Sequence, residues 1–164
     1  MRTLAVAVLL VPAAALVGSA FGESVKTRVE SMKAAGKPEV ITLDHDMFTC
    51  SSCDPEFKVK VSDNPQKVAG HAEFDSVVVI VHSPTSVEVV EEHDNKHVRF
   101  YNYLVSADGK TLTVKYRDYS EPKPSTGGYT AMRVGAAPAG AHAVSGSWKI
   151  EDTRLAESTP AKPH

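Results

Sequence analysis

The chain is poor in most of the residues that announce a specific chemistry. Its 164 residues hold two cysteines, Cys50 and Cys53, and one tryptophan, Trp148. Two thiols cannot frame a disulfide-stapled miniprotein, and a domain of this size buries enough surface to stand without one. A surplus of either charge is missing too. Lys and Arg number 18 and Asp and Glu 20, interspersed, for a formal net charge of −2. Without a basic block there is no concentrated positive surface for phosphates, which argues against a nucleic-acid partner. No Gly-x-Ser-x-Gly elbow, glycine-rich phosphate loop or His-Glu-x-x-His helix occurs, so these enzyme signatures are excluded. The expectation is a protein that is not an enzyme and carries no cofactor.

A long apolar run occurs once. Met1-Arg2-Thr3-Leu4 leads into an uncharged stretch from Ala5 to Val17, followed by Gly18-Ser19-Ala20. A positive start, an apolar stretch and small residues before a cut form a secretory signal peptide, expected over 1–20, with removal after Ala20 or Gly22. The run falls short of the roughly 20 residues a membrane span wants, and Pro12 interrupts it. The expected product is periplasmic or secreted, with no stable membrane insertion once the signal is gone. What remains suits one domain.

Glu23 to Lys37 mixes small, charged and polar residues. Val25, Val29 and Met32 fall at helical spacing, but the composition favours a flexible leader over 21–38. From Glu39 the period becomes two. Val40 and Thr42 open a strand that reaches towards His45, and Phe57, Val59 and Val61 alternate with Lys58 and Lys60, the pattern of a strand with one dry face. Ser62-Asp63-Asn64-Pro65 suits a turn. Val77 to Val81 is a β-branched run that crowds a helix and fits a strand. His93-Asp94-Asn95-Lys96 is a hairpin candidate between Val87–Glu92 and His97–Val105. Asp108-Gly109 joins Phe100–Val105 to Thr111–Tyr116, because glycine accepts positive φ without steric cost.

Pro122, Pro124, Gly127 and Gly128 read as a loop before a strand over Tyr129–Val134. Gly135 to Gly146 is a connector, Ser147–Ile150 a last short strand, and 151–164 a disordered tail. Six to eight antiparallel strands result, an all-β meander that curls into a small barrel or partly open barrel to avoid exposed edges. The domain is expected over 39–150.

Cys50-Ser51-Ser52-Cys53 admits three readings. A thioredoxin-type redox pair needs a helix starting at the first cysteine, whereas Asp54-Pro55 and an alternating strand follow. One half of a zinc site would need a second close pair, such as distant His45 and His71 do not make. A disulfide pinning a loop is preferred, and no metal site is expected. Asp75 and His71 could pair as acid and base, but a polar turn bent at Gly70 explains them more simply. His142 sits in the connector, where its ring could hydrogen-bond backbone.

Several segments together resemble a known group. Phe48-Thr49-Cys50-Ser51-Ser52-Cys53-Asp54-Pro55, Val68-Ala69-Gly70-His71, Val105 to Val114 and Gly140 to Lys149 look like exported, uncharacterised bacterial proteins with a lipocalin-like β-barrel pattern, found in acidobacteria and proteobacteria. The resemblance covers roughly Glu39 to Ile150. In that group a Gly-Ser/Thr-Trp-Lys element opens a barrel unit and longer members look duplicated. Here that element lies near the C-terminus, so the chain resembles one unit plus the start of a second. Either Trp148 closes the first barrel from its far end or the tail packs loosely. The resemblance implies no catalytic residues and, as partner, a small apolar ligand. If the barrel is hollow, Phe57, Phe100, Tyr103, Tyr116 and Trp148 are the candidate ligand-binding residues. If these aromatics fill the core, an envelope protein is the alternative partner.

Overall fold

The computed structural model describes residues 23–154. The signal peptide expected over 1–20 and most of the tail expected over 151–164 lie outside the described residues. Among the described residues ten strands follow one helix: α1 (Val25–Ala35), β1 (Glu39–Asp44), β2 (Met47–Cys50), β3 (Phe57–Lys60), β4 (Ser62–Lys67), β5 (Ser76–Ser83), β6 (Ser86–His93), β7 (Lys96–Val105), β8 (Thr111–Asp118), β9 (Ser125–Gly135) and β10 (Gly146–Asp152). All pair antiparallel in one sheet ordered β3-β2-β1-β10-β9-β8-β7-β6-β5-β4. This is an all-β meander closed almost into a ten-stranded barrel, consistent with a lipocalin-like architecture.

Consecutive strands pair in the sheet except β3 and β4, and β1 pairs with β10, which brings the first and last strands together. The remaining seam lies between β3 and β4, which only Val61 separates in sequence. A side chain partly bridges it. The Lys60 N–H donates to Gln66 Oε1 at 2.8 Å, and Gln66 Nε2 donates back to the Lys60 carbonyl. One amide thus satisfies two backbone groups that a ladder would otherwise pair.

Alternation decides what is inside. On β7, Tyr101, Tyr103 and Val105 are buried while Asn102 and Leu104 are exposed; on β8, Leu112, Val114 and Tyr116 are buried beside exposed Lys115 and Arg117. Trp148 and Ile150 on β10, Ile41 and Leu43 on β1 and Phe48 on β2 complete one core. Trp148 is wholly buried. Its indole N–H donates to the Val144 carbonyl at 2.9 Å, and the Arg133 guanidinium lies 4.1 Å above its ring. Of the two placements the sequence left open, Trp148 takes the one that closes this barrel.

The two barrel ends are covered differently. The Gly135–Gly146 connector folds over the first. His142 accepts the Val144 N–H at Nδ1, so Nε2 carries the proton and donates to the Ser83 carbonyl at 2.8 Å. Ser145 Oγ accepts the Leu43 N–H at 2.8 Å, and Arg133 donates to the carbonyls of Gly109, Ala143 and Ser145. Helix α1 lies at the other end.

Several expectations need correction. Residues 21–38 are not simply a flexible leader, because 25–35 form α1. Ser24 caps its start by accepting the Thr27 N–H, Gly36 closes it at φ 64°, and Val25 and Val29 are buried. Tertiary burial, not propensity, decides a helix this short. The stretch read as a turn, Ser62 to Pro65, is an irregularity within β4, where the register jumps between Ser62 and Gln66. Gly127 and Gly128 belong to β9 rather than to a loop, since Gly127 lies opposite Tyr116 and leaves room for its ring. His45 is a turn residue: His45 and Asp46 adopt φ of 47° and 59° between β1 and β2. Asp94 and Asn95 do the same between β6 and β7, as the hairpin reading required.

Candidate functional site

Strand phase places charge inside the barrel near α1. The buried phase of β7 runs Val105, Tyr103, Tyr101 and then Arg99; that of β6 runs Val87, Val89 and then Glu91; that of β8 ends at Asp118; and that of β1 begins at Glu39. The four charged residues are each at most 6% exposed. Burying such groups is costly unless each is paired.

Most are. Arg99 Nε donates to Asp118 Oδ1 at 3.3 Å, Nη1 faces Glu91 Oε2 at 3.5 Å, and Nη2 donates to the Glu23 carbonyl at 2.6 Å. Asp118 also accepts the Val25 N–H at 3.0 Å and both the N–H and hydroxyl of Ser120. Arg99 and Asp118 therefore moor the start of α1 to the barrel. Glu39 accepts Tyr129 Oη at 2.7 Å and Tyr103 Oη at 3.3 Å.

The same contacts sort the acids. Burial pushes the Glu39 carboxyl up, against the pull of Tyr129, Arg28 and Tyr103. Burial likewise pushes Glu91 up, opposed by Arg28 and Arg99. At Asp118 burial is outweighed by the Ser120 and Val25 hydrogen bonds and by Arg99, so its carboxyl sits below the ordinary range.

Above this floor lies a cavity of about 740 Å³. Helix α1 supplies Arg28, Ser31, Met32 and Ala35, and Lys37, Pro38 and Val40 continue that wall. Ser52, Cys53 and Asp54 face them from the β2–β3 loop, while His71, Glu73 and Phe74 form a third side and Glu91 and Arg99 the base. The β2–β3 loop is held by the Cys50–Cys53 disulfide, with Cα atoms 5.4 Å apart; this loop-pinning role is the one expected. His71 stacks on Phe74 at 4.3 Å and meets Phe57 edge-on at 5.7 Å. Its Nε2 is sealed with no hydrogen-bond partner, and burial pushes its pKa down.

The aromatics singled out from sequence lie elsewhere. Phe57, Tyr103, Tyr116 and Trp148 are buried in the core. Phe100 faces outward, where Arg117 lies 4.6 Å over its ring and Tyr119 and His97 meet it edge-on. None of the five lines this cavity. His71 and Asp75 do not form an acid–base pair: Asp75 instead accepts the Asp94 N–H and the Ser76 hydroxyl and faces Lys67, as a turn residue would.

The residues that define the site went unread in the sequence. No motif or spacing in the sequence singled out Arg28, Glu91, Arg99 or Asp118. The available signal was a charged residue falling on the apolar phase of an alternating strand, as Arg99 does two places before Tyr101.

Among the described residues no group of three His, Cys, Asp or Glu is placed to hold a metal ion. No helix among them is long and apolar enough to cross a membrane. No family model, curated protein or solved structure matches the chain.

Proposed function

We propose that this chain is an exported protein, periplasmic or secreted, that works by binding rather than by catalysis, and that it takes a small, largely apolar ligand into the cavity between α1 and the barrel. The observation that carries this reading is the cavity itself. The barrel core is packed with wholly buried side chains such as Trp148, Tyr129 and Phe48, yet about 740 Å³ stays open beneath α1. That volume is of the size that small-molecule sites have. Met32, Ala35, Pro38, Val40, Phe74 and the Cys53 half of the disulfide provide apolar wall, and polar and charged side chains, Arg28, Lys37, Glu73, Glu91 and Arg99 among them, stand between these on every side. Such a distribution holds an apolar body and fixes its orientation.

The neutral fluorescent probe N-phenyl-1-naphthylamine tests the reading. Its emission should rise and saturate at one probe per chain. Met32→Trp, which fills the cavity from α1, should abolish the rise while leaving the β-rich circular-dichroism spectrum unchanged. Absence of saturable binding to the folded wild type, or undiminished binding to the folded variant, would refute it. An envelope-protein partner becomes the stronger reading in that event.

A further inference from the structure

We infer that the cavity's ligand carries a carboxylate, which docks on the Arg28 guanidinium while the apolar body lies along Met32 and Phe74. The inference deepens the binding reading above and rests on it.

Of the two arginines that line the cavity, Arg28 is the one left under-used. A guanidinium offers five N–H donors. Arg99 directs all three of its nitrogens to protein acceptors, namely Asp118, Glu91, Ser120 and the Glu23 carbonyl. Arg28 makes a single long bond, Nη2 to Tyr101 Oη at 3.4 Å, with the Tyr101 ring 5.6 Å from its central carbon. Its Nε and Nη1 have no hydrogen-bond partner among the described residues. They are not sealed in protein either, because His71 Nε2 is the one sealed polar side-chain atom there that lacks a partner. Arg28 also lines the cavity, which places its side chain at the space a ligand would fill.

The neighbouring acids do not fill that role. Glu39 is held by two tyrosines, and Glu91 Oε2 is shared between Arg99 and Tyr101. Glu73 Oε1 accepts the Glu23 backbone N–H at 3.3 Å. A buried carboxyl can also shed its charge by taking up a proton, whereas a guanidinium cannot lose one. The positive charge at Arg28 therefore persists beside an apolar wall, and a planar fork of free donors matches the two oxygens of a carboxylate.

Decanoate, decanol and decylammonium, titrated calorimetrically into the delipidated full-length product of the host, separate the possibilities. Decanoate should bind about tenfold or more tighter than decanol, the difference one charge-assisted hydrogen-bonded pair makes. Arg28→Met should erase that preference without weakening decanol, and Arg28→Lys should restore part of it. Equal binding of decanoate and decanol, preference for decylammonium, or an unchanged preference in folded Arg28→Met would overturn the inference. The carboxyl ¹³C resonance of labelled decanoate on wild-type protein gives a test that needs no variant. Its titration should fall below that of free decanoate if Arg28 holds it, and coincidence of the two contradicts the contact. If none of the three ligands binds, the cavity reading itself fails; binding without preference removes this inference alone.

Discussion

Glu39 is buried and His71 half-buried, and their environments act in opposite senses on stability. Burial raises the Glu39 pKa above its ordinary 4.5, so the folded state binds its proton more tightly than the unfolded chain does. The resulting stabilisation is full below pH 4.5 and is lost as pH rises through the folded value. Glu39→Gln keeps acceptors for Tyr129 and Tyr103 and removes the titration. The melting temperature of wild type relative to Glu39→Gln should therefore fall as pH rises above 4.5; a constant difference would contradict the assignment.

At His71 burial lowers the pKa from 6.5, so stability is held above 6.5 and lost as pH falls towards the lower folded value. His71→Phe preserves the stack on Phe74 and removes the unpartnered nitrogen. Melting curves between pH 7 and pH 5 should show a larger loss for wild type than for this variant, and parallel curves would count against it. Trp148 is simpler. Its burial and its bond to Val144 imply a loss of about 3–5 kcal/mol in Trp148→Ala, measurable by denaturant unfolding.

At the scale of elements, strands were far more legible than the helix. The alternation through β7 and β8 and the Asp108-Gly109 turn dictate one another, since a two-residue period has only one phase that keeps Tyr101, Tyr103, Leu112 and Val114 dry. Helix α1 carries no comparable signal: only Val25 and Val29 are buried, and its position comes from Asp118 and Arg99, some ninety and seventy residues away along the chain. β2 was unreadable for a related reason, as its four residues are ordered by β1 and β3 on either side.

Two element-scale outcomes follow. A Cβ at Gly127 would stand 2.6 Å from Tyr116 Cζ, so Gly127→Val should cost about 1–3 kcal/mol through overpacking; a neutral variant in denaturant unfolding would mean that β8 and β9 do not meet in this register. Replacing Cys50 and Cys53 by serine opens a short ring and should cost about 2 kcal/mol on the chain-entropy account, leaving the β-rich spectrum intact. Loss of the fold would show that the disulfide does more than pin the β2–β3 loop.

For the whole molecule, the sequence was sufficient for the meander and insufficient for the site. Closure depends on β1 meeting β10, a pairing between residues as far apart as Glu39 and Trp148 that no local pattern announces. The cavity exists because α1, the disulfide loop and the 71–74 segment converge on one end of the barrel, while the connector closes the other. Its charged floor is a product of the same long-range arrangement: Arg28, Glu91, Arg99 and Asp118 become one network only after the sheet has curled. The aromatics offered from sequence as ligand-binding candidates are drawn elsewhere by the same arrangement, Tyr103, Tyr116 and Trp148 lying in the core.

The central claim is that the space beneath α1 receives a ligand. Amide ¹H–¹⁵N spectra recorded during titration with decanoate test it most directly. Perturbations should cluster on α1 from Arg28 to Ala35, on Ser52 to Asp54, on His71 to Phe74 and at Glu91 and Arg99, saturating together. Shifts confined to the outer face around Leu104, Met132 and Val134 would contradict it.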